Sequence, residues 1–116
     1  MQAYHVFYDR KWKRSFESLI RENPGIDAVL CAAGGYVAHG FLKKASKQHV
    51  DVPGTISLVG FDDIEMSSDT GLTTVRQPLD EMGRSAFNAA VRAINEPKAL
   101  PENIVFENEL VIRDTA

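Results

Sequence analysis

From Ile26 to Phe61 the chain runs strand, helix, strand with little between them, and this order constrains the fold more than any other feature. "IDAVLCAA" (26–33) is a nearly continuous apolar run, the pattern of a strand covered on both faces. Gly34 and Gly35 then turn the chain into a helix on which Val37, Phe41 and Ala45 recur at fourfold spacing. Val52-Pro53-Gly54 reads as a turn, and "TISLVGF" (55–61) as the next strand. The same grammar holds upstream. "AYHVFY" (3–8) is rich in β-formers, and Asp9 is placed to cap a helix whose apolar stripe is Trp12, Phe16, Leu19 and Ile20. "ENPG" (22–25) ends that helix. Strand, helix, strand, helix, strand predicts an α/β fold, a parallel-sheet βαβαβ sandwich with right-handed crossovers.

Beyond Phe61 the order changes. "LTTVRQ" (72–77) is β-like and runs into Pro78, a good first helical residue, with Asp80 and Glu81 in the first turn. Leu79, Met82, Ala86, Ala89, Ala93 and Ile94 form the apolar stripe of a helix ending near Asn95. Gly83 within it predicts close packing against a neighbour, since glycine costs roughly 1 kcal/mol against alanine in a helix. "EPKALPEN" (96–103) reads as a linker and "IVFENELVIR" (104–113) as one or two closing strands.

Composition narrows the function classes. A net charge of −3 over 116 residues gives no general argument for nucleic acid or an anionic membrane. The one cysteine, Cys31, excludes an internal disulfide framework and fits a small buried side chain in a reducing compartment. No apolar segment approaches the roughly 20 residues that span a bilayer, and the N-terminus lacks the layout of a signal peptide. These features together lead to the expectation of a cytoplasmic protein. The chain opens inside a strand, as a natural domain or a fragment of a longer protein does.

Open α/β sheets bind ligands at the carboxyl ends of their strands. Three loops are expected to meet there: Asp9 to Trp12, Ala33 to Tyr36, and Phe61 to Ile64. Asp62 and Asp63 therefore stand where a ligand is expected. Four readings compete: a solvated or capping acid, a Mg²⁺ site with Asp9, a phosphoacceptor, and a carboxylate that accepts hydrogen bonds from ligand hydroxyls or ring nitrogens. A phosphoacceptor domain also wants a lysine at a later strand end, where Arg76 and Gln77 stand instead. The basic run Arg10, Lys11, Lys13, Arg14 is either a solvated helix face or a site for an anionic group on the ligand; a nucleic-acid patch is the weakest reading. Gly34-Gly35 lacks the G-x-G-x-x-G and Walker spacings, so relief of the backbone at the turn outranks phosphate binding. His39 lies off the helix stripe and reads as a surface or interface histidine. Ser15, Ser18, Ser67 and Ser68 have no histidine base in a recognisable motif. No catalytic residue, cofactor motif or metal site is expected, and no enzyme activity.

Three linked segments resemble the C-terminal part of LacI/GalR-type transcriptional regulators: "VPGTISLVGFDD", "GLTTVRQPLDEMGRSAFNAAV" and "ELVIRDTA". The resemblance covers essentially the whole chain but only the last third or so of such a regulator. It implies part of a type I periplasmic-binding-protein-like fold, two-lobed, with a small effector in the cleft and a helix-turn-helix head elsewhere. On that pattern Asp62 contacts the effector. Gly34 stands where many members carry an asparagine, and Gly35 where they carry an aspartate. The loop around Asp9 and Arg10 stands where they present an acid followed by an aromatic ring; here Arg10 takes the place of the ring, unless Trp12 reaches in instead. These departures point away from a typical neutral-sugar mode and toward an anionic, phosphorylated or carboxylated effector.

The resemblance also divides the chain. Residues 1–77 belong to the C-terminal lobe, 78–97 to a helix of the N-terminal lobe, and 98–116 to strands returning to the C-terminal lobe. It implies a homodimer, with His39 on the dimerising surface, and operator DNA bound only through a head outside this chain. The stripe of the 78–95 helix would then lack its native partner, which predicts an oligomer or a relocated helix. The alternatives are a fragment of a periplasmic sugar-binding protein and, in another class, a Mg²⁺-dependent phosphoacceptor domain.

Overall fold

The fold follows from two helices laid over one face of a short-stranded sheet. The structure is a computed structural model describing residues 12–98 and 100–116, with no description of the side chains of residues 12–15. The expected strand at 3–8, the Asp9 cap and Arg10 lie outside the described residues. Helix α1 spans Trp12–Glu22, strand β1 Ala28–Leu30, α2 Gly35–Lys47 and β2 Ser57–Phe61. A single-turn helix α3, Met66–Asp69, precedes β3, Thr73–Arg76. Helix α4, Leu79–Asn95, and strand β4, Glu109–Val111, complete the order. By packing, the chain divides into two compact units: one running to Arg76 and resumed at Leu110–Ala116, the other Gln77–Glu109.

In the first unit the strands stand in the order β1-β2-β3-β4. β1 and β2 run parallel with Val29 opposite Leu58, and β2 and β3 run parallel with Gly60 opposite Thr74. The parallel βαβ reading is thus borne out for β1 and β2, and β3, which the sequence reading left outside that unit, joins them in parallel. Alternation along β2 turns Leu58 and Gly60 inward. Phe16 and Leu19 of α1 meet Val37, Ala38, Phe41 and Ala45 of α2 in one core with Cys31, Leu58 and Leu72. The rings of Phe16 and Phe41 stand edge to face, centroids 5.2 Å apart and planes at 89°. Burying each such ring or branched side chain stabilises the fold by about 1.5–3 kcal/mol. Gly60 lies where β2 packs closely on α2: a Cβ there would stand 2.8 Å from Leu72 Cδ2 and 3.2 Å from Ala38 Cβ. Helix α2 closes with His49 left-handed (φ 55°), its N–H donating to Ser46 O and that of Val50 to Ala45 O.

One expectation fails at β1. The apolar run 26–33 predicted a strand covered on both faces, but Ala28 is exposed and Leu30 is 64% exposed, while Val29 packs on the core. α1 and α2 lie against the Val29 side, and no described element covers the other. The regular strand is also shorter than the apolar run, although the Cys31 N–H still donates to Val59 O at 2.8 Å.

In the second unit α4 begins one residue later than expected, Pro78 preceding its first turn. None of its residues is buried, and Leu79, Phe87, Val91 and Ile94 are exposed. A Cβ on Gly83 would meet nothing within 4 Å, contrary to the close packing expected of it. The reason is the same for both: no described neighbour stands against this stretch of helix. Arg92 pairs with Glu96 in the last turn and with Glu102 in the following segment.

Candidate ligand site at the strand ends

The β1–α2 and β2–α3 loops leave the carboxyl ends of neighbouring parallel strands, so register alone brings them side by side. Gly34 adopts φ 97°, ψ 161°, a conformation open in practice to glycine alone. A Cβ there would lie 3.2 Å from Asp62 Oδ2, so the Asp62 carboxylate reaches over the Gly34 backbone. Gly35 is tighter still. A Cβ on it would stand 2.7 Å from Ile64 Cγ1 and 3.3 Å from Phe61 O. The glycine pair therefore relieves the turn, as its sequence suggested, and also lets the second loop close over the first. Asp62 is exposed, with φ 78°, and Asp63 follows at φ 42°.

The two acids then part company. Asp63 Oδ2 accepts a hydrogen bond from Arg76 Nε at 2.7 Å, and its Oδ1 lies 2.8 Å from Arg113 Nη2. Its own N–H donates to Thr74 Oγ1 at 3.3 Å. Burial of the carboxylate opposes its ionisation, but hydrogen bonds and charge from Arg76 and Arg113 outweigh that, so its pKa is held below the ordinary value. Arg113 is fixed in turn: Nη1 donates to Leu72 O at 2.7 Å and its backbone N–H to Thr73 Oγ1 at 2.9 Å. Thr115 Oγ1 accepts from the Thr73 N–H and donates to Leu58 O, stitching the C-terminal segment to β2 and β3.

Gly34 and Asp62, two of the expected site residues, are thus brought together; Asp9 and Arg10 lie outside the described residues, as does the side chain of Trp12. The metal reading loses ground on chemistry, because both Asp63 oxygens face guanidinium groups. Among the described residues no three His, Cys, Asp or Glu side chains are grouped to hold a metal ion. An open concavity of about 240 Å³, lined by Tyr36, Ile64, Glu65, Met66 and Asp69, takes in neither Gly34 nor Asp62.

His39 is half-buried on α2, and burial lowers its pKa. The Thr70 hydroxyl donates to Met66 O at 2.9 Å, so at 3.2 Å it accepts from the His39 Nδ1–H. The Nε2 atom is buried without a described partner.

Arg76 and Arg113 escaped the sequence reading as site residues. A signal existed for Arg76: period-two alternation puts it on the face of Thr74, and the pairing of Phe61 with Val75 carries the Asp62-Asp63 turn alongside it. Arg113 had no local signal.

A family model described as a periplasmic binding protein-like domain matches residues 2–116. The chain belongs to this family. Among similar proteins, the HTH-type transcriptional regulator MalR of Streptomyces coelicolor is 39% identical over 88 residues, 74% of this chain and 25% of that protein. The HTH-type transcriptional repressor PurR of Escherichia coli O1:K1 is 29% identical over 102 residues, 86% of this chain and 30% of that protein. The chain therefore spans about a quarter to a third of the curated relatives it matches. Among solved structures, a complex of the transcriptional regulator CelR with cellobiose matches with TM-score 0.82 and 23% identity, over 96% of this chain and 38% of that one. At that identity it shows the fold alone. A lac repressor dimer bound to operator and the anti-inducer ONPF matches with TM-score 0.76 and 26% identity, over 90% and 31% of the two chains. The resemblance to LacI/GalR-type regulators, first carried by three motifs, is borne out, as is the periplasmic-binding-protein-like α/β fold. No described helix of this periplasmic binding protein-like domain is long and apolar enough to cross a membrane.

Proposed function

We propose that this chain is the effector-sensing and dimerising part of a LacI-type transcriptional regulator, binding a sugar or sugar-like metabolite whose occupancy alters DNA affinity. The observation that carries this reading is the Asp62 carboxylate set over the Gly34 backbone at the carboxyl ends of parallel strands. An ionised carboxylate there accepts hydrogen bonds from ligand hydroxyls, and the bare Gly34 backbone lets a ring approach closely. Trp12 supplies an aromatic face and Asp9 a second acid on this reading. The protein acts without catalysis, by differential affinity of two conformations for effector and for DNA. It works in the cytoplasm as a homodimer with His39 near the partner, and contacts operator DNA through a helix-turn-helix segment outside residues 1–116. The C-terminal lobe is residues 1–77 with the returning 98–116, and helix 78–97 belongs to the other lobe.

Charge bears on the class of effector. Asp62 and Asp63 against Arg76 and Arg113 sum to zero, so preference for an anionic metabolite must come from Arg10 and its basic neighbours. Calorimetric titration of the intact regulator with glucose and glucose 6-phosphate at two salt concentrations tests this. The anionic form is expected to bind more tightly, with an advantage that shrinks as salt rises. Equal affinities would reject the anionic preference, and sugars that leave operator affinity unchanged would reject the regulatory reading.

A further inference from the structure

Asp62 and Asp63 are consecutive non-glycine residues in left-handed backbone, at φ 78° and φ 42°. Such conformations persist only where the surroundings hold them. The Asp62 side chain is exposed and reaches across to Gly34, whereas that of its neighbour is enclosed. The Asp63 side chain is 9% exposed and stands between two guanidinium groups.

The positions of those arginines in the chain are informative. Arg76 is the last residue of the first unit before the chain passes into Gln77–Glu109, and Arg113 lies in the segment Leu110–Ala116 by which it returns. One carboxylate thus grips the chain at both of its crossings. The two grips differ in burial. Arg113, 18% exposed, is also bonded to Leu72 O and Thr73 Oγ1, whereas Arg76 is 47% exposed at a strand end. Arg113 is the more buried jaw of the clamp and Arg76 the exposed one.

We propose that Asp63 is a positioning residue that locks the Asp62 turn to the two chain crossings at Arg76 and Arg113, so that a ligand held by Asp62 is sensed at both crossings. The sensing half rests on the ligand role assigned to Asp62; the lock itself does not.

Backbone hydrogen exchange on this chain tests the two halves separately. Asp63→Asn keeps the shape and removes the charge. Exchange is expected to quicken about tenfold or more at residues 62–64, 76–77 and 111–113. The Cys31 and Leu58 amides, bonded to Val59 O and Thr115 O, should stay within about twofold. Equal acceleration at all these amides would reduce Asp63 to a general structural role, and no acceleration would overturn the lock. If Asp63→Asn does not fold, Arg76→Gln decides: loosening at 62–64 and 76–77, with the Arg113 amide still protected, supports the lock, and unchanged exchange at 62–64 overturns it. Asp62→Ala should leave exchange at 111–113 unchanged. For sensing, cellobiose and glucose 6-phosphate are the probes. A bound probe should slow exchange at 76–77 and 111–113 in the parent chain but not in Asp63→Asn. Binding that protects only residues 34–36 and 62 overturns sensing. If neither probe binds, the ligand role fails for these sugars, and the exchange comparison still decides the lock.

Discussion

Helices α2 and α4 are written in the same pattern and meet opposite fates. On α2, Val37, Phe41 and Ala45 recur at fourfold spacing and all are buried against β2 and α1. On α4, Leu79, Met82, Ala86, Ala89, Ala93 and Ile94 form an equally clear stripe, yet no residue of that helix is buried. The lesson is about what periodicity contains. It fixes which face of a helix is apolar, because 3.6 residues make a turn, but names no surface for that face to meet. α2 finds its surface within its own unit, and α4 does not.

Paired substitutions should break or sharpen this contrast. Phe41→Ala removes a ring stacked edge-on against Phe16 and should cost about 3–5 kcal/mol in urea melts followed by circular dichroism. Phe87→Ala, at a position 68% exposed, should stay within about 0.5 kcal/mol. A large loss at Phe87 would show that α4 has a packing partner in solution. Glycine gives the next largest contrast. Gly60→Ala drives a Cβ to within 2.8 Å of Leu72 and should cost about 1–3 kcal/mol.

The Asp63 clamp is a third, smaller effect, confined to the first unit. Asp63→Asn should lower stability by about 1–2 kcal/mol near neutral pH, the exposure of Arg76 discounting its share. The folded-state pKa lies below the ordinary carboxylate value, so the contribution is complete above the unfolded value near 3.8 and is lost as pH falls through the folded one. Acid titration of stability should therefore show a steeper decline in the parent chain than in Asp63→Asn below about pH 4. Parallel curves would mean that Asp63 gains nothing from its arginines. Smallest of all, Gly83→Ala should raise helix stability by up to about 1 kcal/mol, because its Cβ enters open space. A destabilised Gly83→Ala would again reveal a hidden partner for α4.

What the sequence disclosed follows how local each feature is. The α2 stripe, strand β2 and the strain-relieving Gly34 each depend on a few consecutive residues, and each was legible. The position of Asp62 at a strand end came from topology alone. Arg113 was illegible because its partnership with Asp63 joins two distant parts of the chain, and no spacing rule connects them. The bare face of β1 was misread for a related reason: an apolar run such as "IDAVLCAA" reports affinity for burial, while cover depends on elements elsewhere. Asp9, Arg10 and Trp12 entered on loop position and resemblance together, and that part of the site rests on sequence.

Asp62 carries the proposed effector-binding role. Calorimetric titration of the parent chain and of Asp62→Ala with cellobiose, lactose and glucose 6-phosphate measures its role directly. At least one of these should bind the parent, with affinity reduced about tenfold or more in Asp62→Ala, as expected for loss of hydrogen bonds to a charged acceptor. A sugar that binds both proteins equally well would contradict the assignment.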